Sequence, residues 1–184
     1  LPRIPVAANI GTQVPFDGTH DGIYKYEVTA YDAAGRTTVY DTITVQLDSS
    51  KPEIEITKPA EEGANNLVSG STEFRGTASD AGTGVTLVQY SLNSTDWFNA
   101  NGFTIWNASF TFAPTEPEGP KTLYVRASDA AGNVSAIAER PFMYDTGAPD
   151  LAVTTEPANL TNLEFSLSGS ASDGYQLRAS DSVV

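Results

Sequence analysis

The side chains that could do chemistry in this sequence are almost all carboxylates. Asp and Glu number 23 against 10 Lys and Arg, with one histidine and no cysteine in 184 residues. Without thiols there are no disulfides, thiolate metal sites or cysteine nucleophiles. A net charge of −13 repels nucleic-acid phosphates, so no nucleic-acid partner is expected, and it suits the binding of cations. The histidine, His20, stands in Asp17-Gly18-Thr19-His20-Asp21-Gly22 with no serine-base-acid set around it. One imidazole with Asp17 and Asp21 is a poor transition-metal set, and a surface loop is the simpler reading. A glycosidase would need two carboxylates held across a sugar cleft. No pair in this chain is singled out for that, and no enzyme activity is expected.

What must position the carboxylates is a repeat. Tyr31-Asp32-Ala33-Ala34-Gly35-Arg36 returns 97 residues later as Ser128-Asp129-Ala130-Ala131-Gly132-Asn133. Asp48-Ser49-Ser50-Lys51-Pro52 returns at the same interval as Asp145-Thr146-Gly147-Ala148-Pro149, and Gly76-Thr77-Ala78-Ser79-Asp80 returns 93 residues later as Gly169-Ser170-Ala171-Ser172-Asp173. A unit of this length has the size of an immunoglobulin-type sandwich.

Inside the unit the period is two, as in half-buried strands. Tyr26, Val28 and Ala30 alternate with Lys25, Glu27 and Thr29, and Leu123, Val125 and Ala127 fill the same positions in the next copy. Further strands are predicted from Ile54/Ile56, Phe74/Gly76/Ala78 and Phe110/Phe112, and Val85 to Leu92 is apolar on both faces, as in a bulged or doubly covered strand. No helical period occurs. Asp-Ala-Ala-Gly is a four-residue hairpin loop in which Asp accepts backbone N–H bonds and Gly takes positive φ. The expected fold is all-β: tandem immunoglobulin-like sandwiches, one complete unit at 49–146 between two partial ones. Residues 1–48 supply late strands and 147–184 early ones. Leu177-Arg178-Ala179-Ser180-Asp181 echoes Val125 to Asp129, which leaves Tyr175 onward as either a strand C or an abbreviated strand F.

The motifs Ser79-Asp80-Ala81-Gly82-Thr83-Gly84-Val85, Val88-Gln89-Tyr90-Ser91-Leu92 with Trp97, and Ala127-Ser128-Asp129-Ala130-Ala131-Gly132-Asn133 resemble the bacterial immunoglobulin-like repeats of large surface and secreted proteins. That resemblance implies an extracellular or cell-surface location and a non-catalytic structural or adhesive role, as a rod-like stalk or binding array. The alternative it leaves open is a carbohydrate-binding accessory module of a multimodular exoenzyme. Arg36 departs from the usual Asn, and different contacts are expected in the first hairpin loop. No apolar run reaches the roughly 20 residues of a membrane span. The start, Leu1-Pro2-Arg3-Ile4-Pro5, has no signal-peptide design, which suggests a mid-chain or processed terminus.

Alternating strand directions bring the B–C and F–G loops of the middle unit to the end where its first strand enters. Asp80, Asp129 and the linker residue Asp48 are therefore expected to converge there. Three unpaired carboxylates repel one another, and a hard cation such as calcium would relieve the repulsion, with carbonyls of the loop 81–84 completing its shell. Otherwise each Asp caps its own turn. Asp145 and Asp173 would serve the next junction. Trp97, Phe98 and Trp106 could form a platform for a glycan, or pack in the core as most sandwich aromatics do. Asn93, Asn107, Asn133 and Asn159 begin Asn-x-Ser/Thr triplets, a number that chance explains in a chain this rich in those residues. The partners expected are neighbouring repeats, or copies of the chain completing each other head to tail, and a glycan or protein of a host or cell surface.

Overall fold

The computed structural model describes residues 19–61, 66–155 and 168–174. Its elements there are all strands. The first hairpin pairs β1 (Gly22–Tyr31) with β2 (Thr37–Leu47), antiparallel from Gly22↔Leu47 to Tyr31↔Thr37. β3 (Glu53–Lys58), β4 (Leu67–Val68), β5 (Ser71–Ser79), β6 (Val85–Ser91), β7 (Phe98–Asn99), β8 (Ile105–Thr111), β9 (Gly119–Asp129) and β10 (Ala138–Tyr144) build the middle sandwich. β11 (Asp150–Thr155) and β12 (Ser168–Ser172) form a last antiparallel pair. The residues from Tyr175 on, whose strand identity was open, lie outside the described residues, as do Asp17 and Asn159.

The middle sandwich faces a three-stranded sheet, β3-β5-β8, against a five-stranded one, β4-β10-β9-β6-β7. This is an immunoglobulin-like, all-β arrangement. The predicted alternation of β5 and β9 fills it with Phe74 and Ala78 and with Leu123, Val125 and Ala127, and Val88 and Tyr90 of β6 and Trp106 and Ala108 of β8 are buried beside them. Phe74 sits at the centre, its ring about equally far from Tyr90 (6.1 Å), Phe110 (6.2 Å) and Phe142 (5.9 Å). The doubly apolar stretch at Val85 is explained by a bulge, where the β6–β9 register shifts between Val85 and Leu87. β4 and β7 are new relative to the sequence reading. Strands of two residues show no period of two, so nothing in the pattern marks them.

Gly76 explains how a tryptophan fits between the sheets. It pairs with Ile56 on one side and Trp106 on the other. A Cβ at Gly76 would lie 1.9 Å from the Glu55 carbonyl oxygen and 2.4 Å from Cζ2 of Trp106, so only glycine leaves room for the indole there.

Val125 is fully buried in β9, which has β10 on one side and β6 on the other. Val125→Ala is expected to lower the unfolding free energy by about 1–3 kcal/mol through lost methyl burial and the cavity left behind. A denaturant melt followed by tryptophan fluorescence measures it. A change within the noise would mean that this strand face is not packed as described.

Candidate functional site

β5 ends at Ser79, β6 begins at Val85, and β9 ends at Asp129 opposite Val85, so the loops 80–84 and 130–137 share one pole of the sandwich. The linker that follows β2 arrives at the same pole. There Asp48, Asp80 and Asp129 each place a carboxylate oxygen within 4.8 Å of the other two. The convergence expected from strand direction is therefore present in the fold.

Asp48 belongs in sequence to the end of the first hairpin but is bonded into the middle sandwich. It is only 2% exposed. Its Oδ2 accepts from the Thr83 amide (2.6 Å) and the Thr83 hydroxyl (2.7 Å), and its Oδ1 accepts from the Ser50 amide (3.1 Å). The Thr83 bonds, the hydroxyl's first, hold the Asp48 carboxyl below the ordinary carboxylate value despite its burial and the nearby charge of Asp21. Asp129 caps its own hairpin loop, accepting from the Gly132 and Asn133 amides on Oδ1 and from the Asn133 side chain on Oδ2. The same Asn133 amide nitrogen donates to the Asp48 carbonyl at 3.0 Å, which fastens the linker backbone to the loop. The two loops are tied together by the Ala131 amide donating to Thr83 Oγ1 and the Ala130 amide to the Gly84 carbonyl.

Asp80 differs from the other two. Its Oδ2 accepts from the Gly82 and Gly84 amides, whereas its buried Oδ1 has no hydrogen-bond partner. The other oxygens of the cluster each hold a donor, so turn capping accounts for all of it except this atom. An oxygen buried in this way ordinarily loses about 1–3 kcal/mol, and more when charged. Calcium binds oxygens at about 2.3–2.6 Å, so oxygens on opposite sides of one ion stand roughly 4.6–5.2 Å apart. The spacing of the cluster and the orphaned Oδ1 of Asp80 both fit such a cation. Asp48, Asp80 and Asp129 would hold it through lone pairs that their N–H partners leave free.

The loop 81–84 contributes through its N–H groups. It aims the amides of Gly82, Thr83 and Gly84 at the carboxylates of Asp80 and Asp48. The reason is electrostatic: N–H dipoles offset the negative charge that the three Asp side chains bring together. Gly82 is required by close approach, since a Cβ there would stand 2.3 Å from the Asp48 carboxylate. Thr83, Gly82 and the bridging role of Asn133 were not picked out from the sequence. The only signal for them was their place in the loops that carry Asp80 and Asp129.

Arg36 keeps part of the loop's bonding and changes part of it, as expected: the second amide bonded to the aspartate is Ala34 in this loop and Gly132 in the other, and Asn133 also reaches the Asp48 carbonyl. Asp32 accepts from the Arg36 amide at 2.8 Å and from Arg36 Nε at 2.6 Å, as Asp129 does from the amide and side chain of Asn133. A guanidinium N–H thus replaces a carboxamide N–H as donor to the aspartate, without the bridge to the linker that Asn133 makes. At the second junction, Asp145 accepts from the Gly147 amide and Asp173 from the Gly174 amide. Among the described residues these two do not join a third ligand. Trp106 is 0% exposed and presents no face to a glycan, which corrects its place as a binding residue: β8 turns its side chain toward Gly76 and the core. Trp97 is half-buried, with the Arg126 guanidinium 4.1 Å from its ring centroid. His20 is exposed, in contact with the Thr19 hydroxyl.

Residues 52–125 match the family model described as "Bacterial Ig domain", and residues 3–49 match the one described as "Bacterial Ig-like domain". No curated protein matches the chain. Among solved structures it is similar to the fibronectin(III)-like modules of Clostridium thermocellum CbhA, at 18% identity and a TM-score of 0.43, over 69% of this chain and 64% of that one. It is also similar to a tetra-tandem repeat in the extending region of a large adhesion protein, at 18% identity and a TM-score of 0.40, over 76% of this chain and 36% of that one. The chain thus spans less than two thirds of the length of either.

Proposed function

We propose that this chain, which carries bacterial immunoglobulin-like domains in tandem, is a spacer: a non-catalytic segment that holds consecutive sandwiches at a fixed angle in a cell-surface or secreted protein. The units proposed are 1–48, 49–146 and 147–184. The observation that carries the reading is Asp48, a residue of the linker that is buried in the pole of the next sandwich and bonded to Thr83, 35 positions away. A linker free to swivel would leave such a carboxylate in water. Among the described residues no helix is long and apolar enough to cross a membrane.

Calcium at Asp48, Asp80 and Asp129 belongs to the same proposal. Bound there, it would neutralise the cluster and tie the linker to both loops, adding stiffness at the joint. A ligand at a hundred times its Kd stabilises the folded state by about 2.7 kcal/mol. Millimolar calcium is therefore expected to raise the Tm of the full chain and to reduce the spread of inter-unit distances seen by small-angle scattering, with Asp80→Asn abolishing both effects. Calorimetry showing no heat at millimolar calcium would leave the three carboxylates as turn caps only. The spacer itself is tested separately, by displaying one, two and three copies of residues 1–184 on a bacterial surface and measuring the height of a terminal tag. Height that fails to grow in proportion would overturn it.

Glycan binding is the rival reading. It would rest on Trp97 and the exposed Phe98, since Trp106 is in the core, and Arg126 already lies over the Trp97 ring. Saturable binding on a glycan array that Trp97→Ala abolishes would favour it over the spacer.

A further inference from the structure

Two carboxylates outside the cluster make the same contact 97 residues apart. Asp21, immediately before β1, accepts from the Ser49 amide (3.0 Å), the Ser49 hydroxyl (2.8 Å) and the Ser50 hydroxyl (3.1 Å). Glu118, immediately before β9, accepts from the Thr146 amide (2.9 Å) and the Thr146 hydroxyl (2.5 Å). In each case the acid precedes its hydroxyl residue by 28 positions. The hairpin ladders beside them end at equivalent pairs, Gly22↔Leu47 and Gly119↔Tyr144. The linkers share one further turn, in which the Ser50 amide donates to Asp48 Oδ1 and the Gly147 amide to Asp145 Oδ1. Both acids are held below the ordinary carboxylate value, Asp21 chiefly by the Ser49 amide and Glu118 chiefly by the Thr146 hydroxyl.

We infer that Asp21 and Glu118 are positioning residues that clamp the start of each linker to the unit behind it, so that the direction in which the chain leaves one sandwich is repeated at the next. The clamp works as a side-chain continuation of the ladder. Once the backbone pairs run out, the acid reaches across to a residue two places past the end of the outgoing strand and takes both its amide and its hydroxyl. The requirement is for an acceptor at that position and a Ser or Thr opposite. Asp and Glu both satisfy it, since each presents a carboxylate oxygen to the amide and hydroxyl opposite. At the first junction the linker is consequently gripped from two sides, by Asp21 behind and by the Asp48 pocket ahead. Nothing in this depends on a cation.

The experiment uses the full 184-residue chain in buffer with a chelator, so that its outcome is separate from that of calcium binding and of the spacer reading. Amide exchange at Ser49 and Thr146 is measured by NMR, beside the tryptophan-monitored melt. Glu118→Ala is expected to speed exchange at Thr146 about tenfold, the order of one lost hydrogen bond, while Ser49 and the melt stay where they were. Asp21→Ala should do the reverse, and Glu118→Gln should keep most of the protection because its amide oxygen accepts the same bonds. Unchanged exchange at Thr146 in Glu118→Ala would overturn the clamp. So would a fall in the melt matching the change in exchange, since the acid would then be supporting the sandwich and not the linker.

Discussion

Trp106→Ala is expected to lower the unfolding free energy of the middle sandwich by about 3–5 kcal/mol, the largest single effect predicted for this chain. The indole is fully buried, and it lies against Gly76, which has no side chain with which to fill the space left behind. Backbone collapse is resisted as well, because β5 is paired on both sides, to β3 and to β8. The cavity should therefore persist, which places the loss toward the upper end of the range. Trp106 Nε1 is buried with no hydrogen-bond partner, a cost that the native core already carries. Trp106→Phe removes that N–H together with part of the ring, and its loss should be less than half that of Ala. Both variants can be read by denaturant unfolding with Trp97, the only other tryptophan, as reporter. A Phe variant as damaged as the Ala variant would show that the Nε1 group is satisfied in solution.

Gly82→Ala is expected to release the linker from the pole of the sandwich. The glycine has no left-handed backbone requirement, and the nearest obstacle to a methyl group is the Asp48 carboxylate 2.3 Å away. That carboxylate is the group fastening the linker, and moving it breaks both bonds to Thr83. Hydrogen bonds to a charged group contribute about 1.5–3 kcal/mol each, and the released charge returns to water, so a net loss of about 1–3 kcal/mol is expected. Asp48→Ala should cost a similar amount by leaving the Thr83 amide and hydroxyl without their acceptor. The decisive measurement is the double variant. Once Asp48 is alanine, the methyl at position 82 has room, so the two losses should fall short of adding by about 1–2 kcal/mol. Strict additivity would mean that Gly82 acts through the loop backbone and not through Asp48.

Much of the site could be read from strand direction. Asp80 and Asp129 follow strands that run the same way, so their loops had to share a pole, and Asp48 precedes the strand that starts there. What such reasoning could not supply was the hand of the hydrogen bonding. Whether the loop 81–84 turns amides or carbonyls toward the carboxylates depends on its φ and ψ angles, which sequence periodicity does not carry. Arg36 was expected to change the contacts of its loop, and it does so in part: its Nε supplies the bond to Asp32, while the second amide donor differs between the two loops and Asn133 alone is given the bridge to the linker.

The sequence by itself determined that the chain is all-β, that it repeats at 97 residues, and which residues of β5 and β9 face inward. Each of these follows from local backbone geometry, in which a strand must alternate its side chains and a turn needs Gly or Asp at set positions. Only the tertiary structure decided that Asp48 is bonded to Thr83, that Asp80 keeps a buried oxygen without a donor, and that Asp21 and Glu118 hold Ser49 and Thr146. These contacts join residues 28 or more positions apart. They exist because closing two sheets over a core brings particular loop ends within hydrogen-bond reach, a distance that no local pattern encodes.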